Sequence, residues 1–189
     1  MAEPSAARAD RASTEPPGSS WGERIGIAVK TLASQLERDD GPISAGDSAE
    51  LRRGWDQPRG AAFWRIAVRV LERHDLLRDV ESEIEWTAIL AGLAETASLH
   101  APSQRFGRAL AAAGVTEARL LRLLRAEDET LRKTLRAVVR QLASAGQRFD
   151  WGEPARLLLV RDKDPIRSQI AKSYYRSSAQ GADQTKEEE

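Results

Sequence analysis

Arg119, Arg122 and Arg125 recur every three residues in RLLRLLR (119–125), and a second run, LRKTLRAVVR (131–140), carries Arg132, Lys133, Arg136 and Arg140. Recognition of phosphate is the chemistry such residues offer. A guanidinium forks onto phosphate oxygens with two parallel hydrogen bonds and keeps its charge under partial burial. At about 100° per residue, RLLRLLR divides into a leucine face and an arginine face. In the second run Leu131, Leu135, Val138, Val139 and Leu142 share one side and the four cations lie beside them. Two consecutive helices packed through their apolar sides would turn these cations onto a common basic plate. Such a plate suits the regular, sequence-independent charge of a nucleic-acid backbone. Glu127, Asp128 and Glu129 fall at the helix junction, a placement that leaves the stripes without acidic partners.

No other grouping assembles a reactive site. His74 and His100 are the only histidines and stand alone, as surface or capping residues. Glu81, Glu83 and Glu85 share a helix, but the middle one points away from the other two, so they read as charges favouring a helix start. Ser103, Gln104 and Arg105 with Gly107 lack the glycine spacing of a phosphate-cradling loop. Tyr174 and Tyr175 read as packing residues. Trp21, Trp55, Trp64, Trp86 and Trp151 read as core or interface anchors, one or two of which could stack on an unpaired base. There is no Cys, which excludes a disulfide framework and a thiolate metal site. The expectation is a chain with no catalytic residue, no metal site and no cofactor, and therefore not an enzyme.

Charge is distributed unevenly. The formal net charge is zero, but residues 103–176 hold sixteen Lys+Arg against eight Asp+Glu (16 − 8 = +8), residues 1–102 twelve against seventeen (−5), and residues 177–189 one against four (−3). A basic region flanked by acid is the footprint of a polyanion binder that a neutral total conceals. Of the 29 basic residues, 24 are Arg; a GC-rich coding sequence raises that ratio but does not place the arginines on two helix faces. No apolar run approaches the roughly 20 residues of a membrane span, and the N-terminus lacks a secretory signal pattern. A cytoplasmic protein with no membrane partner is expected.

The elements that must position these residues are helical throughout. Residues 1–20 and 177–189 lack the apolar side chains that would offset ordering entropy and are expected to be disordered. Between them, 21–176 reads as one all-α domain, a compact bundle of eight or nine short helices. The spacing of apolar residues predicts helices over about 21–38, 60–77 (Phe63, Ile66, Val70 and Leu71 inward), 83–99 (Ile84, Ile89, Leu90 and Leu93 inward) and 128–144. Asp47 is expected to cap a short helix carrying Leu51, Arg52 and Arg53. Ser103 is expected to start a helix that Gly114 stops, Thr116 to cap the next, and Asp150 and Asp164 to open the last two, the final one ending near 177. Strand signals are absent. A helix–turn–helix reading of 119–140 is disfavoured, because the arginines spread over both helices instead of marking one recognition helix.

Several stretches read together resemble the CasB family, the small subunit of the type I-E CRISPR surveillance complex Cascade. They are GDSAELRRG (46–54), AAFWRIAVRVL (61–71), RFGRALAAAGVTEARLLRLLRAED (105–128), TLRAVVRQLAS (134–144), FDWGEPARLLL (149–159) and RSQIAKSYYR (167–176). The resemblance implies an all-α protein without enzymatic activity that pairs with a second copy inside a crRNA-containing assembly, beside the backbone and large subunits. It implies a basic surface that steadies target DNA and the displaced single strand of the R-loop. The residues that would take this role are Arg52, Arg53, Arg105, Arg108, Arg119, Arg122, Arg125, Arg136 and Arg140, joined from the helix pattern by Arg132 and Lys133. A scaffold subunit whose arginines meet acidic faces of other proteins, and a helical DNA-binding regulator, are the alternative readings.

Overall fold

Capping groups set most of the boundaries. In the computed structural model, which describes residues 20–38, 40–57 and 59–187, with side chains to Gln180, the Ser20 hydroxyl accepts the Glu23 N–H and opens α1 (Trp21–Glu37). α2 (Ala45–Arg52) is not capped by Asp47 as expected. Ser44 is the cap: its Oγ accepts the Asp47 N–H (3.1 Å) while the Asp47 carboxylate accepts the Ser44 N–H (3.2 Å), a reciprocal box that starts the helix three residues earlier. α3 (Ala61–Ile66) continues through a π-helical turn (Ala67–Leu71) and a 3-10 turn (Glu72–His74) and stops at Asp75, whose φ is 51°. α4 (Val80–Thr96) begins before residue 83 because Asp79 and Ser82 form a second box.

α5 (Phe106–Ala112) does not start at Ser103. The free N–H of Phe106 is met by the buried Glu153 carboxylate at 2.9 Å, a cap supplied from elsewhere in the chain. Gly114 (φ 67°) ends α5, and Thr116 opens α6 (Glu117–Arg125). α7 (Asp128–Ser144) is followed by Gly146 (φ 60°), then α8 (Gly152–Leu159) and α9 (Asp164–Glu187). α9 extends beyond the expected end near 177, although Tyr174 is the last buried one among its described side chains. Of the two tails expected to be disordered, residues 1–19 and 188–189 lie outside the described residues.

Among the described residues the result is an all-α bundle of nine α-helices, with one isolated parallel bridge, His100 to Phe149, and no strand. α4 is the axis. It is apolar nearly all round, as a fully surrounded helix must be, and packs against α1, α2, α7 and α8. Trp86, Ile89, Leu90 and Leu93 are fully buried. Ile84 is not in the core as expected but 38% exposed, since Trp86 takes the inward direction and donates its indole N–H to the Leu76 carbonyl (3.1 Å). Trp151 fills the space where Gly92 has no side chain; a Cβ there would stand 2.3 Å from the indole. Its N–H donates to the Thr96 hydroxyl at 2.8 Å. Among the described residues no helix is long and apolar enough to cross a membrane.

Candidate nucleic-acid interface

α6 folds as its wheel requires. Leu120 and Leu123 are buried, and Arg119, Arg122 and Arg125 are exposed. The flanks of α6 are fixed by two contacts. The Arg119 guanidinium donates to the Gln141 side chain of α7, and the Glu117 carboxylate accepts the Tyr175 hydroxyl of α9 (2.8 Å). Arg122 and Arg125 point away from both neighbours.

The α7 stripe behaves differently. Arg132 pairs with Glu85 of α4 (2.5 Å), Arg136 with Asp56 after α2 (2.5 Å), Arg140 with Glu95 of α4 (3.9 Å), and Lys133 with Glu129 on its own helix (2.6 Å). Arg132 and Arg140 therefore line the α4 side of α7, Arg136 reaches the segment after α2, and Lys133 stays at the surface of its own helix. Gln141, where α6 touches, lies about 140° round the helix from Arg136 at 100° per residue. The expectation of one shared, uncovered plate is corrected on both points: Arg132 and Arg136 lie on the flank of α7 away from α6, and the protein's own carboxylates pair with all four α7 cations. Nor do the junction acids stay apart from the cations. Glu127 holds Arg167 of α9 and Lys163 just before it, and Arg167 beside it keeps its carboxyl below the usual glutamate range.

Burial has a visible electrostatic cost at Glu85. Desolvation pushes its carboxyl above the ordinary 4.5, against the opposing pull of Arg132. Its Oε2 is buried without a hydrogen-bond partner. His100 is half-buried, its protonation suppressed by desolvation, and its Nδ1 accepts the Trp151 backbone N–H (3.2 Å), so it serves the loop before α8. Tyr174 packs in the core and donates to the Val115 carbonyl (2.6 Å). Among the described residues no group of three His, Cys, Asp or Glu is placed to hold a metal ion.

The remaining candidates divide in the same way. The Arg52 Nε donates to the Ala94 carbonyl (2.9 Å) and ties α2 to α4. Arg105 pairs with Glu153 (3.2 Å). Arg53, Arg108, Arg122 and Arg125 have no hydrogen-bond or ion-pair partner among the described residues. Two further cations, Lys172 and Arg176, share a groove with Arg105 and Arg108 between α5 and α9. Their i,i+4 spacing in AKSYYR was a usable signal; what hid them was the separation in sequence between α5 and α9. Trp64 is the one tryptophan with a largely open ring, 44% exposed, with the Arg59 guanidinium 5.9 Å from its centroid.

Fold and surface together define a small helical protein whose cations are partly paired with its own carboxylates and partly without a partner among the described residues. The sequence model for the CRISPR-associated protein Cse2 matches residues 47–175, and the chain belongs to that family. Solved structures share the fold. M. ruber CasB is 23% identical with a TM-score of 0.64, covering 82% of this chain and 96% of that one. CasB from Thermus thermophilus is 23% identical with a TM-score of 0.61, covering 83% and 99%. A chain in the crystal structure of E. coli Cascade bound to a PAM-containing dsDNA target is 21% identical with a TM-score of 0.52, covering 82% and 96%. No curated protein sequence matches the chain.

Proposed function

We propose that this chain is the non-catalytic small subunit of a type I-E CRISPR Cascade complex, and that it steadies target DNA and the displaced single strand of the R-loop by contacting their phosphate backbones. Membership of the Cse2 family and the likeness to a chain of DNA-bound E. coli Cascade support the assembly. The observation that carries the DNA contact is the difference between two neighbouring helices. The cations of α7 are held by the protein's own carboxylates, whereas Arg122 and Arg125 of α6 are exposed with no partner among the described residues. Modest contacts of this kind suffice, because exchanging a DNA duplex for a guide heteroduplex is nearly balanced and a few backbone interactions tip it. Sequence choice is left to guide pairing. Contacts to the backbone and large subunits, and pairing of two copies, belong to the same reading. The exposed apolar side chains Trp64, Val68, Val80 and Ile84 are available for them.

The test is a reconstituted complex carrying Arg122→Ala/Arg125→Ala. Target affinity falls, and the slope of log affinity against log salt lessens by roughly 1.5, because two phosphate contacts are lost. Unchanged affinity across the titration would instead assign this subunit to scaffolding.

A further inference from the structure

We propose that the groove between α5 and α9 is a phosphodiester-binding channel that takes one nucleic-acid strand by its backbone alone, with Arg108, Lys172 and Arg176 as the contacting cations. The ligand class rests on the function proposed above; the site, its residues and its indifference to bases come from the groove itself.

The groove has a volume of about 650 Å³, and its lining includes Arg105 just before α5, Arg108 from α5, and Gln169, Lys172, Ser173 and Arg176 from α9. Among the described residues no carboxylate and no aromatic ring lines it. The first absence leaves Arg108, Lys172 and Arg176 uncompensated. The second removes the surface on which an unpaired base would stack. The Ser168 and Ser177 hydroxyls and the Gln180 amide, which also line the groove, supply neutral donors to phosphate oxygens.

The channel is built from below. Glu153 is 1% exposed, and its carboxylate accepts the Phe106 N–H (2.9 Å), the Gln169 amide (2.8 Å) and the Arg105 guanidinium (3.2 Å). One buried group thereby fixes the start of α5 and two lining side chains. Its negative charge is held by Arg105, whose own side chain lines the groove. Gly107 lets the helices close: a Cβ there would stand 2.1 Å from the Ile170 carbonyl oxygen. With the backbones that near, cations from both helices face one channel. Lys172 and Arg176 are about one helical turn apart on α9, about 5.4 Å, which suits successive phosphates of a single strand, and Arg108 faces them from α5. A channel between two packed helices whose axes run about 8–10 Å apart does not admit a duplex.

The experiment uses the full chain and fluorescence anisotropy with a labelled oligothymidylate and an abasic strand of equal length, each titrated with salt. The parent binds both with affinities within about twofold. Arg108→Ala/Lys172→Ala/Arg176→Ala weakens both at least about tenfold and lowers the salt slope by about 2, the value for three single-strand phosphates. Lys30→Ala/Arg73→Ala/Arg148→Ala removes the same charge from exposed sites outside the groove and leaves binding within about twofold of the parent. Equal weakening by the two triple variants, parent-like binding by the groove variant, or no strand binding by the parent each overturns the proposal. So does a clear preference for the base-bearing strand, or displacement of the strand by micromolar inorganic phosphate, which would mark a small-anion site. Failure of the R-loop-contact reading is seen separately, in an assembled complex whose target affinity is indifferent to Arg122→Ala/Arg125→Ala.

Discussion

Arg132 of α7 and Glu85 of α4 form an ion pair at 2.5 Å with only 23% and 8% of their side chains exposed. Arg132 is therefore a structural cation, and Glu85 is tolerable in the core because of it. Arg132→Ala should destabilise the protein by about 2 kcal/mol, less than the about 3–5 kcal/mol of a fully buried pair, because Arg132 keeps some contact with water. The loss should depend on pH. Burial raises the Glu85 carboxyl above its ordinary value, so the stability tied to its protonated form is complete below about 4.5 and disappears as pH rises through the folded-state value. Removing Arg132 pushes that value higher. Urea denaturation at pH 5 and pH 8 should show the variant's deficit growing with pH; an equal deficit at both would contradict the pairing.

The remaining compensated cations of α7 should matter little to strand binding. Arg136→Ala/Arg140→Ala should change the affinity of the full chain for a single strand by less than about twofold, whereas Arg122→Ala/Arg125→Ala should weaken it severalfold and reduce its salt dependence. Anisotropy titrations compare the two directly. A larger loss from the α7 pair would mean that phosphate displaces Asp56 and Glu95.

Gly107→Ala should destabilise the fold by about 2–3 kcal/mol, the upper range for overpacking, because the added methyl meets the backbone of α9, which cannot rotate aside. It should also weaken strand binding by parting the channel walls. Denaturation and binding measured on the same preparation test both. A variant as stable as the parent would show that α5 and α9 do not approach so closely.

Tyr174→Phe should cost about 1–3 kcal/mol, since the buried Val115 carbonyl loses its donor. Tyr175→Phe, whose hydroxyl meets Glu117 at the surface, should be close to neutral. Thermal melts of the two variants, differing by one residue in position, separate core from surface.

The helices were legible in the chain because their apolar periods are strong: α6 and α7 lie where RLLRLLR and LRKTLRAVVR put them, and Gly114 and Gly146 stop helices as glycines at positive φ do. Capping was only partly legible. Ser44 and Asp47 satisfy each other, so either could be taken as the cap, and α5 has its first N–H met by Glu153, 47 residues away. Charge pairing was least legible. A wheel shows which side a cation faces, not which distant carboxylate arrives there, and Arg136 meets Asp56 from 80 residues away. The same separation concealed the α5–α9 groove, since Arg108 and Lys172 become neighbours only through the contact at Gly107.

The π-helical turn at Ala67–Leu71 seats one residue more than a regular ladder would hold. Deleting a single residue there would let the hydrogen bonds shorten to the ordinary repeat while Phe63 and Ile66 before the turn and Leu76 after it keep their bearings on the core. A deletion one turn earlier would swing half of α3 through about 100° and expose its apolar edge. The segment that looks most distorted is thus the place where this helix best absorbs a change in length.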